Sequence, residues 1–410
     1  MLNSLFLDFN SYFASVEQQL SPELRGKPIA VVPMIADSTA TLAASYEAKA
    51  MGVKTGTRIY DAKKMCPNLI LVKARHTEYV QFHHQLVDVV NSVIPVKRVM
   101  SIDEMVCDLM GSQRAQDVAV SMAHTIKKTI AQQVGTEMRC SIGIAPNDYL
   151  AKTATDMQKP DGLVVIRQTD LPDILFPLEL RDLVGVGRKM YDRLYKSGIY
   201  TVEMLCNAPK HVLANVWGGI EGERMWARLR GEQTPWVETH KSSISHEHVL
   251  GPAQRTRIGA EGVLHRLLQK AATRLRSYGL LTSLIAVSIR HQDQTKFKRT
   301  IRVTATQDSM QLTRLLTNAL QEWQVPEATR PLKVRVELTK LSVVGATPIP
   351  LFDDVGPSRE KLNASLDKLN AKYGKNTVYV GTAWNALGAA KTHIAFNHIP
   401  DVDKEGDDSE

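Results

Sequence analysis

Cysteine is scarce in this chain. Its four cysteines in 410 residues (Cys66, Cys107, Cys140 and Cys206) are scattered and never form a CxxC pair. A disulfide framework is thereby excluded as the organising device, and no zinc site is suggested. Long apolar runs are missing too: no stretch approaches the ~18 residues needed to cross a bilayer. The opening MLNSLFLDFN has neither a basic start nor a cleavage site. A cytosolic protein without a membrane partner is expected. No internal duplication stands out.

What is present is ordinary in bulk and uneven in detail. The hydrophobic fraction of 43% and charged fraction of 23% suit a globular protein, and 410 residues call for two to four domains. The formal net charge is +8, which permits a nucleic-acid partner without demanding one. Between Lys241 and Thr347, 17 Lys and Arg face 7 Asp and Glu, a local excess of ten, so the rest of the chain is close to neutral. The positive charge is the footprint of one segment.

Periodicity divides the chain. SLFLDFN and GKPIAVVPM read as short buried strands, SYFASVEQQL as a helix and DSTATLAASYEAKAMGVKTG as a loop with a short helix. TEYVQFHHQLVDVVNSVI and AQDVAVSMAHTIKKTIAQQVG are helical, while VMSIDEMVCDL and RCSIGIAP are strand-like, which predicts an α/β or α+β domain over the first ~165 residues. Short helices follow to about Trp236, and ETHKSSISHEH reads as a polar connector. In the basic segment, LTSLIAVSIR and KFKRTIRVTA flank the turn HQDQ, LKVRVELTKL alternates strictly, and two helices separate the strands. Beyond it, SREKLNASLDKLNAKYG is an amphipathic helix, NTVYVGTA is strand-like, and DVDKEGDDSE reads as an acidic disordered tail.

Three carboxylates attract attention. Asp8 ends the first strand, and Asp103 and Glu104 stand side by side among apolar residues, where an unpaired buried charge is costly. If the strands are neighbours the three converge, and their repulsion asks for cations; a pair of magnesium ions about 3.5–4 Å apart would answer it. Adjacent strand residues point to opposite faces, so a turn or bulge at Asp103–Glu104 would be needed. Spacing alone favours a solvated turn.

The neighbouring motifs add to that reading. DFNSYFASVEQ, ASYEAKAMGVKTG, SIDEM, CSIGIAPNDYLAKTATDMQKPDGL and LVGVGRKMYDRL, in this order from Leu2 to about Lys340, together resemble the Y-family, or translesion, DNA polymerases. The resemblance implies a multidomain α/β (α+β) right-hand polymerase. Its palm would take residues 1–31 and 79–165, fingers 32–78, and a helical thumb with a helix–hairpin–helix 166–238. A linker (239–245) and little finger (246–345) follow, then a candidate clamp-binding segment (346–357), a C-terminal extension (358–400) and the acidic tail (401–410).

By the same resemblance Asp8, Asp103 and Glu104, with the Phe9 carbonyl, are ligands of two Mg²⁺ ions, with Mn²⁺ able to substitute. Ser11, Tyr12, Tyr46 and Lys159 hold the incoming deoxynucleoside triphosphate. Phe13 is the steric gate against a 2′-hydroxyl; from the residues alone it is equally a core aromatic. Lys49 stands where the family usually has arginine, trading a bidentate grip for a point charge. Leu42 falls where a small residue often roofs the base pair, and filling a fingers core explains it as well.

Gly185 and Gly187 in LVGVGRKM read as a hairpin turn that lets backbone approach a DNA phosphate, flanked by Arg188 and Lys189. Lys296, Lys298, Thr300 and Arg302 share one strand face by period two, and Lys333, Arg335, Glu337 and Thr339 another. A solvated face is the usual explanation, but the regional charge favours a surface that tracks phosphates. TPIPLF resembles a sliding-clamp segment anchored by Leu351 and Phe352, without the usual glutamine, and is equally a linker.

The resemblance therefore implies a template-directed, low-fidelity translesion polymerase that acts on primer-template DNA. It would work without proofreading, since nothing resembles an exonuclease, as a cytoplasmic, nucleoid-associated monomer. The tail resembles that of the catalytic subunit of DNA polymerase V, while the single-chain DNA polymerase IV branch fits the intact chain equally well. A catalytically silent, DNA-binding adaptor in a lesion-bypass complex is the alternative, which the three retained carboxylates argue against.

Overall fold

The computed structural model describes residues 1–37, 39–235, 241–324, 329–345, 357–374 and 377–386. The chain divides into two compact units, Met1–Trp236 and Val237–Thr392.

The first unit is built on a five-stranded sheet in the order Val96–Val99, Glu104–Asp108, Ser4–Phe9, Cys140–Ala145, Leu163–Val165. All pairs are antiparallel except the last. Ser4–Phe9 is central and buried along its whole length, which is why SLFLDF is nearly all apolar. Period-two alternation sorts its side chains. Leu5, Leu7 and Phe9 enter the core with Tyr79, Leu86, Ile126 and Ile130 of the helices His76–Val93 and Gln116–Gln133. Phe6 packs with Val106, Leu150, Ala151 and Ala154 on the other side. Asp8, two residues beyond Phe6, shares that second face with the helix Asp148–Met157. This helix lies very close to the sheet: a Cβ on Gly143 would stand 2.0 Å from the Ala151 carbonyl oxygen, so only glycine admits the approach.

The segment read as fingers forms a small three-stranded sheet, Ala43–Ala44, Ile29–Val32 and Ile70–Lys73, over a core of Ala44, Ala48, Val53, Ala62 and Cys66. Strand Ile29–Val32 straddles the boundary read between residues 31 and 32. Its helix Tyr46–Ala50 starts at Ser45, whose hydroxyl accepts the Ala48 N–H. Residues 188–228 contribute four short helices, Arg188–Lys196, Val202–Asn207, Lys210–Trp217 and Ile220–Arg228, packed through Leu194, Leu205, Leu213 and Met225.

The second unit is a four-stranded antiparallel sheet in the order Lys296–Thr306, Leu280–His291, Pro331–Val343, Ser243–Val249. Helices Arg257–Ser277 and Ser309–Gln321 cover one face through Leu264, Leu268, Leu312 and Leu316 against Ile285, Val287, Val334 and Val336. Two expectations change here. The end of the polar connector is the edge strand Ser243–Val249, with Ile244 buried against the helices and Ser245 and Glu247 facing outward. NTVYVGTA forms no strand over its described residues: 377–378 form a bend, and Gly381–Ala386 a 3-10 turn. The Asn370 side chain accepts the Val378 N–H and donates to its carbonyl, at 2.9 and 2.8 Å, while Gln269 reaches the Val380 carbonyl. These backbone groups find side-chain partners in place of a neighbouring strand. The helix Pro357–Tyr373 forms as expected; Arg276 grips Asp367 at 2.6 and 2.8 Å, and Arg359 and Asn363 reach Asp308.

Candidate active site

Strand pairing places Asp8 directly opposite Glu104. Asp103 lies just before the strand, in a bend at Ser101–Asp103 that supplies the expected change of direction, and its carbonyl accepts the Phe9 N–H at 2.9 Å. The three carboxylates are neighbours but do not share one cation as they stand. Lys152 binds Asp8 and lies 2.9 Å from Glu104, while Asp103 accepts the Ser101 hydroxyl at 2.5 Å. Lys159 reaches Asp8 and Asp156, both at 2.7 Å. Among the described residues no group of three or more His, Cys, Asp or Glu is gathered closely enough to hold a metal ion. The ammonium groups of Lys152 and Lys159 supply the counter-charge to Asp8 and Glu104, while Asp103 is held by Ser101.

Electrostatics explains this arrangement. Burial pushes the Asp103 carboxyl up to about 6, with Asp8 and Glu104 adding to the rise and the Ser101 hydroxyl opposing it. Burial also pulls the Lys152 ammonium down, but Asp8, Glu104 and Asp156 together outweigh it and its pKa is raised. Lys159 is raised as well: burial pulls it down, but Asp8 and the hydrogen bonds to Asp156 and Asp8 together outweigh it. Acidic oxygens on two adjoining segments, held by an ammonium bridging two of them, form a donor set suited to a hard divalent cation. The residues therefore fit such an ion. Lys152→Met should lower the melting temperature of metal-free protein at pH 7, by roughly 1–2 kcal/mol in stability since Glu104 is partly exposed, with Mg²⁺ restoring it. Unchanged melting in EDTA would mean that Lys152 does not hold the pair.

The nucleotide-side residues surround this cluster. Ser11 adopts the left-handed conformation (φ 49°), and its buried hydroxyl interacts with the Tyr46 phenol without a well-formed hydrogen bond. Lys49 lies 4.5 Å from the Tyr46 ring centroid; burial and the nearby Lys159 lower its pKa. The Tyr46 phenol is raised by burial, with Lys159 opposing. Tyr12 donates to the Tyr79 carbonyl at 2.6 Å, and Phe13 stacks on Tyr79 with centroids 4.4 Å apart and planes 14° apart. Leu42 is half-buried and bonds through its N–H to the Val31 carbonyl.

Sequence reasoning passed over two supports. Lys152 and Asp156 sit at i and i+4 on the helix Asp148–Met157, a pair that could have been read from the spacing, and Asp156 also binds Lys159 beyond the helix end. The buried Asn10 accepts the Asp161 N–H at 2.8 Å and donates to the Ser141 hydroxyl at 3.1 Å, which in turn donates to the Gln158 carbonyl. Both flanks of Lys159 are thereby tied to the end of the Asp8 strand. Asn10→Leu should leave the Asp161 N–H unpaired and raise KM for nucleotide more than it lowers kcat, by roughly tenfold in kcat/KM. Steady-state kinetics will check this, and an unchanged KM would show that the loop holds without Asn10.

The turn at 183–187 brings Gly185 to φ 83°, which favours glycine, and puts Gly187 at the start of helix Arg188–Lys196 with Arg188 and Lys189 exposed. A Cβ at either glycine would meet nothing within 4 Å, so the turn presents open backbone. In the second unit, register places Lys296, Arg290 and Lys333 in one row and Lys298, Ser288 and Arg335 in the next. Arg302 pairs across to Leu284 two rows further on. All lie on the face away from the helices. Arg290 joins a set the sequence had not included it in. Lys333 binds Glu247 and Arg335 lies 3.0 Å from Glu337, so part of the charge is already neutralised. Leu351 and Phe352 lie outside the described residues.

The profile of the impB/mucB/samB family matches residues 7–156, and that of its C-terminal domain residues 241–351. A DNA polymerase IV of Moorella thermoacetica is 31% identical over 400 residues, spanning 94% of this chain and 96% of its own. DNA polymerase IV 1 of Bacillus subtilis is 32% identical over 295 residues, 70% of each chain. Among solved structures, a Y-family polymerase chimera of Dbh and Dpo4 matches with TM-score 0.68 and 24% identity, over 83% of this chain and 99% of its own. An insertion ternary complex of Dbh DNA polymerase matches with TM-score 0.54 at the same identity and coverage. The chain belongs to the Y-family of translesion DNA polymerases and is a DNA-directed DNA polymerase, with the right-hand fold of that family.

Proposed function

We propose that the protein extends primer-template DNA past damaged bases with low fidelity, by two-metal-ion catalysis and without proofreading. The observation that carries this is the Asp8–Glu104 pair bridged by Lys152, a cation-demanding cluster beside Asp103 and Lys159. In the reaction the primer 3′-hydroxyl oxygen bonds to the α-phosphorus of a deoxynucleoside triphosphate, and the bond to the departing pyrophosphate breaks. Magnesium ions held by Asp8, Asp103, Glu104 and the Phe9 carbonyl would lower the pKa of the attacking hydroxyl and neutralise the leaving group.

The chain's own residues do the rest. Lys159, pinned by Asn10 and Ser141, supplies positive charge for the triphosphate, with Tyr46, Lys49 and Ser11 around it. Tyr12 closes the floor, and the Phe13 ring excludes a 2′-hydroxyl. Gly185, Gly187, Arg188 and Lys189 hold one stretch of DNA backbone, and Lys296, Lys298, Arg302, Lys333 and Arg335 another. Leu351 and Phe352 anchor a sliding clamp. The protein works as a monomer in the nucleoid-associated cytoplasm.

Primer extension with Mg²⁺ and four deoxynucleotides, on undamaged and abasic templates, tests the reading against Asp8→Asn. Extension that disappears in the variant supports it. DNA binding without extension in the wild type, unrescued by clamp or partner proteins, would make the chain a silent adaptor.

A further inference from the structure

Behind the Phe13 ring sits a buried charge that the polymerase reaction does not use. Glu17, on the helix Tyr12–Leu20, has a side chain only 1% exposed, unusual for a carboxylate. It accepts the Tyr79 hydroxyl at 2.7 Å and the Arg75 Nε at 3.0 and 3.2 Å, with a further contact from the Arg75 guanidinium. Arg75 immediately precedes the helix His76–Val93, where the chain leaves the strand Ile70–Lys73. Arg75 thus stands where the chain crosses back from the small three-stranded sheet to the large one.

Glu17 is buried but the Arg75 side chain is 44% exposed, so the pair does little for stability beyond compensating the buried carboxylate, and its geometry calls for another explanation. A bidentate guanidinium fixes the carboxylate plane, and the carboxylate fixes the Tyr79 hydroxyl. The Tyr12 hydroxyl holds the Tyr79 carbonyl at 2.6 Å, so this tyrosine is tethered at both ends. Phe13 stacks on the immobilised ring, nearly parallel, and meets His76 edge-on at 6.3 Å.

We propose that Glu17, clamped by Arg75, is a positioning residue for sugar selection: through the Tyr79 hydroxyl it sets the plane of Phe13 and hence the room left for a 2′-hydroxyl. The inference rests on reading Phe13 as the sugar gate. It also makes discrimination sensitive to the segment that carries Arg75, because a shift there moves the carboxylate and, through it, the ring.

The test is the ratio of kcat/KM for deoxynucleoside over ribonucleoside triphosphates in the full chain. Phe13→Ala should relax the ratio by ~10²-fold or more, through loss of the ring itself. Tyr79→Phe keeps the stacked ring and loses its tether; Glu17→Gln keeps the shape and loses the charge. Each should relax the ratio by roughly 3- to 10-fold, and the double variant no further than the worse single, since both act through one bond. If Phe13→Ala relaxes the ratio while Tyr79→Phe and Glu17→Gln keep it, the relay is overturned and the gate stands. If Phe13→Ala leaves the ratio unchanged, the gate reading fails and the relay with it. Should Glu17→Gln fail to fold, Tyr79→Phe decides alone.

Discussion

Asp103→Asn should abolish primer extension while making the metal-free protein more stable at pH 7. The loss should be ~10²–10³-fold or more, the range seen when one preorganised charge-stabilising group is removed from an active site. The gain follows from the pKa. Burial, Asp8 and Glu104 hold the Asp103 carboxyl at about 6 in the folded chain, above its ordinary 3.8. A carboxyl whose folded pKa is raised binds its proton more tightly when folded. Its contribution to stability is then fully present below about pH 4 and is lost as pH rises through about 6. At pH 7 the ionised group works against the fold, by at most ~3 kcal/mol for a two-unit shift and by about 1–2 kcal/mol after allowing for its partial exposure. Asparagine removes that charge. Thermal melting in EDTA should show wild type losing stability from pH 4 to 6, and the variant losing less and melting a few degrees higher at pH 7. Adding Mg²⁺ should stabilise wild type more than the variant, because the strain relieved is the carboxylate's own. A lower melting point for Asp103→Asn would instead mean that the Ser101–Asp103 contact outweighs the repulsion.

Much of this site was legible residue by residue, and little of it pair by pair. An apolar strand that ends on an acid marks Asp8 by itself, and two adjacent acids in a strand-like stretch demand the turn found at Ser101–Asp103. That Asp8 faces Glu104 depends on strand pairing across most of the first 108 residues, which no local pattern encodes. Lys152 was hidden by habit, since a lysine on a helix is normally solvated, and only the closeness allowed by Gly143 sets it against the carboxylates. The same limit explains the edges of the second unit. SISHEHV carries only one strongly apolar inward residue, Ile244, so it read as a connector, yet an open sheet edge was there to pair with it. NTVYVGTA had the composition of a strand and found side-chain partners for its backbone instead. Composition proposes an element; whether a partner edge lies beside it decides the outcome.

The basic face shows how pairing redistributes charge that the sequence counts equally. By period two, Lys296, Lys298, Arg302, Lys333 and Arg335 are equivalent candidates for DNA phosphates. In the sheet, Lys333 and Arg335 have acidic partners in Glu247 and Glu337, whereas Lys296, Lys298 and Arg302 lie on an exposed strand without one among the described residues. Neutralising a phosphate releases a counterion only if the basic group is not already compensated. Joint replacement of Lys296, Lys298 and Arg302 by Ala should therefore flatten the slope of log affinity against log salt by up to about 2.7, close to 0.9 for each phosphate no longer neutralised. Lys333→Ala should change the slope by much less than one unit. Glu247→Gln should strengthen binding and steepen the slope, since it frees Lys333. Fluorescence anisotropy with duplex DNA between 50 and 200 mM salt reads all three variants, and the losses should be the same for unrelated sequences because phosphates carry no sequence information. A triple variant with an unaltered slope would show that DNA does not lie across this face. A Lys333→Ala effect as large as one third of the triple variant's would show that DNA displaces Glu247 when it binds.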